Sequence, residues 1–110
     1  MNSVQVMGNL ARDPVIRATK TGRAVASFTV AVNRNYTTPQ GEQKELTDWI
    51  NVVAWGNLAE SVGNQLKKGM RVFVEGRLST RSYDTPEGQR RWVTEVVANF
   101  VALPLGNAHP

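Results

Sequence analysis

The pattern Tyr-x-Thr-Pro-Gln/Glu-Gly occurs twice, as Tyr36-Thr37-Thr38-Pro39-Gln40-Gly41 and as Tyr83-Asp84-Thr85-Pro86-Glu87-Gly88. Proline presets the φ of a turn and glycine takes the conformation that closes it, so each copy predicts a tight reversal of the chain. Each copy also ends one alternating apolar run and precedes another, which makes both of them hairpin tips. Two hairpins account for four strands of a 110-residue chain, and the fold must be built around them.

Period-two alternation supplies the strands. From Ala24 to Asn33, the residues Ala26, Phe28, Val30 and Val32 alternate with Ser27, Thr29, Ala31 and Asn33, a half-buried strand with Phe28 inward. Val4 to Leu10 forms a strand before it, and the connection from Arg12 to Gly22 reads as turn-rich, with Asp13-Pro14 breaking the strand. A third strand runs from about Leu46 to Trp55, a fourth from Met70 to Tyr83 and a fifth from Arg91 to Leu103. Between the third and fourth, Leu58, Val62 and Leu66 fall on one helical face. Asn57 has the form of that helix's N-cap with Glu60 at the third position, Lys67 and Lys68 suit its negative end, and Gly69 terminates it. The expected class is all-β with one helix: a five-stranded Greek-key OB-fold barrel, helix between strands 3 and 4. It forms one domain over residues 1–104, because a chain this short encloses a single core.

Trp49 and Trp55 sit six residues apart in the third strand, so both point to the same face, and Ile50, Val52 and Ala54 fill the opposite one. Two indoles on a sheet face that ordinarily meets water form a stacking platform, roughly 20 Å long at about 3.3 Å per residue. In the fourth strand, alternation sets Arg71, Phe73, Arg77, Arg81 and Tyr83 on one side, opposite Met70, Val72, Val74 and Leu78. Arg34 and Lys44 bracket the first hairpin tip, Arg81, Arg90 and Arg91 the second, and Arg12 follows the first strand. Cations that track phosphates, interleaved with rings on which bases stack, are what sequence-tolerant binding of single strands requires. Thirteen Lys and Arg against nine Asp and Glu, a formal charge of +4, agree with a polyanionic partner. The expected nucleic-acid contacts are therefore Tyr36, Trp49, Trp55, Tyr83 and Phe73 by stacking, and Arg12, Arg34, Lys44, Arg71, Arg77, Arg81, Arg90 and Arg91 by charge. Trp92 reads as a core or rim residue. Phe73 fits burial by a partner chain as well as it fits stacking. Arg17, Lys20 and Arg23 either line the strand's path or solubilise a loop, and spacing does not decide between these.

Catalysis has little to stand on. The one histidine is His109, and no nucleophile turn, phosphate-cradling glycine loop or paired His/Cys ligands occur. Glu42, Glu45 and Asp48 are the sole acidic cluster, and they read as solubilising surface where a loop becomes a strand. No catalytic residue, metal site or cofactor is expected. Without cysteine there is no disulfide framework, and the beginning of the chain shows neither a basic leader nor an apolar span, so the expected place is the cytoplasm, at the nucleoid, with no membrane partner.

Gly8-Asn9-Leu10 with Asp13-Pro14, Ala24-Val25-Ala26, Trp49 through Gly56, Leu58-Ala59-Glu60, Lys67-Lys68-Gly69, Val74-Glu75-Gly76-Arg77-Leu78, Thr80-Arg81 and Thr94-Glu95-Val96 resemble the bacterial single-stranded DNA-binding protein family. The likeness covers the chain to about Leu103. It implies an OB-fold that pairs through its first strand into dimers, and a homotetramer built from dimers, wrapping single-stranded DNA in replication, recombination and repair. Its stacking rings map to Tyr36, Trp49, Trp55 and Tyr83. Members commonly carry tryptophan where Tyr36 and Tyr83 stand and phenylalanine where Trp55 stands, so the inventory of rings is kept but redistributed. The family's usual continuation is a disordered tail with an acidic tip. Residues 105–110 read as a short C-terminal remnant without it, so partners recruited through a tail are not expected, and a tailless relative would serve DNA uptake or mobile elements. The alternative from another class is a protein-interaction OB module of a replication-restart complex, in which the aromatic face meets another subunit.

Overall fold

The computed structural model describes residues 1–108, and the expectation for His109 lies outside the described residues. Six strands and one helix follow in the order β1 (Val4–Leu10), β2 (Val15–Ala18), β3 (Ala24–Thr37), β4 (Gln43–Trp55), α1 (Gly56–Gln65), β5 (Arg71–Asp84) and β6 (Arg90–Ala102). In the sheet the strands are ordered β1-β5-β6-β4-β3-β2, and β1 also pairs with β3. That extra pairing closes β1, β5, β6, β4 and β3 into the expected five-stranded Greek-key barrel, with β2 added at its rim. The helix joins β4 to β5, as expected.

The core is the inner parity of the five barrel strands, with Leu10 contributed by β1, while β2 is exposed throughout. Ala26, Phe28 and Val30 of β3, Val52 and Ala54 of β4, Val72 and Val74 of β5 and Val96 and Ala98 of β6 are buried, and Ala59, Val62 and Leu66 pack onto them from the helix side. Barrel closure takes place in a short stretch. β1 pairs with β5 from Val4↔Gly76 to Asn9↔Arg71, and reaches β3 only at Asn9↔Ala31 and Leu10↔Val30. Gly8 sits at that crossing, where an added Cβ would lie 2.2 Å from the Ala31 carbonyl oxygen. A second pinch occurs at Gly76, beside the register shift between Glu75 and Gly76, where a Cβ would lie 2.1 Å from the Val97 carbonyl oxygen. At both points one backbone rests against another with no room for a side chain.

Both expected hairpins form, and their tips carry the same three hydrogen bonds. Thr38 N–H donates to Glu42 O, Gly41 N–H to Thr38 O and Glu42 N–H to Thr38 Oγ1; Thr85, Gly88 and Gln89 repeat the same three bonds. A third copy, which the sequence reading missed, closes β2 onto β3: Thr19 N–H to Arg23 O, Gly22 N–H to Thr19 O and Arg23 N–H to Thr19 Oγ1. The shared signal is Thr-x-x-Gly, with glycine φ of 85, 83 and 82° at Gly22, Gly41 and Gly88.

Several expectations need correction. The segment taken as turn-rich contains β2, a four-residue strand paired with Ala24–Ser27, because Asp13-Pro14 ends β1 without preventing a new edge strand after it. The helix starts at Gly56, after an extended Trp55 that offers no side-chain cap, so Asn57 is not its N-cap and Glu60 lies beyond the first turn. It ends at Gln65, before Lys67 and Lys68. Gly69 does take a left-handed φ of 89°, but in the following turn, where its N–H donates to Leu10 O. Leu78 has the inner parity yet is exposed, since β5 has by then run past the end of the barrel. Trp92 is the most exposed of the three tryptophans, at 69%.

Candidate nucleic-acid interface

Residues paired directly across a sheet share a face, so the register of the strands assembles the outer surface of the barrel row by row. Arg71 pairs with Asn9, Asn9 with Ala31, and Ala31 with Trp49. Val15 pairs with Ser27, Ser27 with Val53, Val53 with Val97, and Val97 with Arg77. Arg17 pairs with Val25, and Val25 with Trp55. Trp49, Trp55, Arg71, Arg77 and Arg17 therefore look out from one continuous face. Trp49 is 63% exposed and Trp55 36%, while Val52 and Ala54 between them are sealed in the core on the other side.

Three adjoining recesses cross this face. One is lined by Ala11, Arg12, Thr29, Trp49 and Asn51. The middle one runs from Arg12 and Val15 over Ser27, Thr29, Asn51 and Val53 to Glu95. The third holds Trp55 with Arg23, Leu58, Arg77, Val97, Ala98 and Asn99. Arg12, Asn51 and Arg77 thus bring polar and cationic groups to the ground between and beside the two indoles. Thr29 Oγ1 donates to Asn51 Oδ1 at 3.3 Å, which leaves the Asn51 amide hydrogens directed elsewhere.

The two hairpin arms carry the remaining candidates. On β5–β6, Arg81 and Tyr83 continue the outer parity of Arg77, and Arg91 stands opposite Tyr83. Arg90 and Trp92 pair with Asp84 and Ser82 and occupy the reverse of that ribbon. On β3–β4, Tyr36 pairs with Lys44 and Arg34 with Leu46, which puts Tyr36, Lys44 and Arg34 on the parity of Val32 and Ile50, across the ribbon from Trp49. Phe73 has the outer parity but belongs to another neighbourhood. It pairs with Met7, where β1 no longer pairs with β3, and packs edge-on against Phe100 with ring centroids 6.4 Å apart. The structure therefore groups Trp49, Trp55, Tyr83, Arg12, Arg77, Arg81 and Arg91, with Arg71 at the margin, and separates Tyr36, Arg34, Lys44, Arg90 and Phe73 from them.

Charge is not free on every candidate. Arg34 pairs with Asp48 at 3.0 Å, Lys44 with Glu42 at 3.2 Å and Arg90 with Asp84 at 3.5 Å, all on exposed ribbon. Arg81 Nε donates to Glu95 Oε1 at 2.9 Å, and that carboxylate is only 9% exposed. Arg12, Arg71, Arg77 and Arg91 make no ion pair among the described residues. Glu42 and Asp48 are thus engaged with cations, and no cluster of three metal-ligating side chains occurs among the described residues. Glu95 is the site residue that sequence reasoning left out, and Arg23, which spacing left open between the strand's path and a solubilising loop, falls at the site. Arg23 was signalled by the third Thr-x-x-Gly turn, which delivers it beside Trp55. Glu95 had no local signal, because only the pairing of β6 with β4 and β5 turns it into the middle recess.

A model of the single-strand binding protein family matches residues 1–104 of this chain. A single-stranded DNA-binding protein of Halalkalibacterium halodurans is 52% identical over 101 residues, 92% of this chain and 59% of the relative. Single-stranded DNA-binding protein A of Bacillus subtilis is 50% identical over 101 residues, again 92% of this chain and 58% of the relative. The chain thus spans about three-fifths of the length of these curated relatives. Among solved structures, a Plasmodium falciparum SSB complex with ssDNA superposes with a TM-score of 0.82 at 31% identity, over 94% of this chain and 92% of the other.

Proposed function

This chain belongs to the single-strand binding protein family, and from that premise we propose that it binds single-stranded DNA without regard to sequence and protects it during replication, recombination and repair. The observation that carries the reading is the outward placement of Trp49 and Trp55 on one rigid sheet face, amid arginines, while the opposite face is fully packed. The names of the relatives and the content of the P. falciparum complex support it.

The mechanism makes and breaks no bond, and the protein is not an enzyme. Trp49, Trp55 and Tyr83 stack bases, Arg12, Arg71, Arg77 and Arg91 displace counterions from phosphates, and the held strand is kept from pairing. Tyr36, Arg34 and Lys44 meet the strand on the other side of the β3–β4 arm, where a path that wraps around the ribbon would bring it. Neutralising about six phosphates gives a slope of log affinity against log salt near −4. Titration of the intrinsic tryptophan fluorescence with oligo-dT is expected to show quenching with that slope, and far weaker binding of duplex, whose paired bases hide their faces. Absence of quenching, or equal affinity for duplex, overturns the reading.

A second copy of the chain is the proposed protein partner, in a tetramer built from dimers. The edge of β1 away from β5 is unpaired over Val4–Gly8, and Met7, Phe73 and Phe100 leave an apolar patch beside it. An open edge and an exposed apolar patch are both features that association covers. Light scattering is expected to read four times the chain mass, and a monomer at working concentration counts against this assembly. The proposed place is the cytoplasm, at the nucleoid, where the DNA is; no helix among the described residues is long and apolar enough to cross a membrane.

A further inference from the structure

Trp55 does not present a bare ring. The Arg23 guanidinium lies 4.8 Å from its centroid, a cation–π contact that covers part of the indole. Arg23 ends the β2–β3 turn, held there only through its backbone: its N–H donates to Thr19 Oγ1 and its carbonyl accepts from Thr19. Its side chain is exposed and makes no ion pair among the described residues. Arg77 enters the same recess from β5, and Asn99 adds an amide from the irregularity in β6. One indole, two unpaired guanidiniums and an amide thus surround a recess of about 450 Å³.

We propose that this recess is a subsite for one nucleotide, in which the base takes the Trp55 ring face now covered by Arg23 and the displaced Arg23 binds the adjoining phosphate. The proposal rests on the single-strand binding reading and assigns one residue's part within it. Relative magnitudes decide the exchange. An exposed cation–π contact is worth a factor of roughly 2–5 in an equilibrium, whereas a stacked base is worth roughly 5–150, so a base displaces the guanidinium. Once displaced, Arg23 stays tethered beside the ring by its turn, and its planar fork suits a phosphate in two-point contact. Arg77 across the recess holds the next phosphate of the same strand. Arg23 thus serves the free protein as a cover for an exposed indole and the complex as a phosphate ligand.

The test is the salt dependence of oligo-dT binding by Arg23→Ala and Arg23→Lys, beside the unsubstituted protein. Loss of one phosphate contact is expected to make the slope of log affinity against log salt shallower by about 0.7 and to weaken binding several-fold in Arg23→Ala. Arg23→Lys, which keeps the charge, restores most of the slope. An unchanged slope in Arg23→Ala overturns the proposal, and so does tighter binding at unchanged slope, which identifies Arg23 as a competitor for the ring and nothing more. If the unsubstituted protein itself fails to bind oligo-dT, the underlying reading falls instead. Arg23 is exposed and its backbone bonds do not depend on its side chain, so all three proteins are expected to melt alike.

Discussion

Replacing Trp49 and Trp55 together by alanine is expected to weaken binding of oligo-dT by roughly 2–6 kcal/mol, about 30-fold to 20,000-fold, with each single replacement giving roughly 1–3 kcal/mol. The two rings lie about 20 Å apart along β4, share no partner and sit at opposite ends of the three recesses, so their effects should add. Neither ring belongs to the core cluster, since the inner side of the same strand is filled by Val52 and Ala54; Trp49 is 63% exposed, whereas Trp55, at 36%, packs part of its ring against the barrel. Melting temperature should fall modestly, chiefly through loss of the part-buried Trp55, while affinity collapses. Fluorescence anisotropy of a labelled oligonucleotide is the suitable readout, because Trp92 remains as an interfering fluorophore on the reverse of the other ribbon. Affinity unchanged in the double variant would sink the platform assignment, and loss of folding together with affinity would show that the indoles hold the sheet.

Gly8→Ala is expected to have the opposite profile, destabilising the fold while leaving every proposed contact side chain in the sequence. The added methyl would lie 2.2 Å from the Ala31 carbonyl oxygen and 3.0 Å from its carbon. Both belong to backbone that is itself locked into the β3–β4 ladder, Ala31 opposite Trp49, so nothing soft can give way. Relief requires β1 to part from β3, and the barrel has only two residue pairs there, Asn9↔Ala31 and Leu10↔Val30. A clash of this kind belongs among the exceptional substitutions that cost more than about 4 kcal/mol, against a typical total of about 5–15 kcal/mol. Thermal unfolding should shift down by roughly 15–30 °C at about 4–8 °C per kcal/mol for a domain near this size. A variant that melts like the parent would mean that barrel closure is not where the structure puts it.

What could be read from the residues alone follows from the range of each signal. Alternation is local, so the phase of Ala26, Phe28 and Val30, and of Val52 and Ala54, was legible, and with it the side from which Trp49 and Trp55 emerge. The hairpin tips were legible because their geometry is written in four or five consecutive residues. β2 was not, since four residues after Asp13-Pro14 are too few to show a period, and only pairing with Ala24–Ser27 makes them a strand. The helix start was misread because the chain enters it through the positive φ of Gly56, without the side-chain cap that Asn57 seemed suited to give. Leu78 and Trp92 are exposed because β5 and β6 outrun the barrel, and strand length relative to core is a tertiary quantity. The meeting of Arg23 with Trp55 and the sinking of Glu95 beside Arg81 likewise depend on partners 32 and 14 residues away.

The two crossings at Gly8 and Gly76, where main chain lies on main chain, also bear on how association is shared between the two parties. A cylinder cinched at both places has little slack with which to adapt, and its two indoles ride on one strand, β4, and cannot shift separately. Whatever freedom is surrendered when a floppy polymer settles on it must then be surrendered almost wholly by the polymer. Tight capture by such a rigid anvil should favour chains that are already limp and unstacked, and heating or base composition that loosens the guest should matter more than any change in the host.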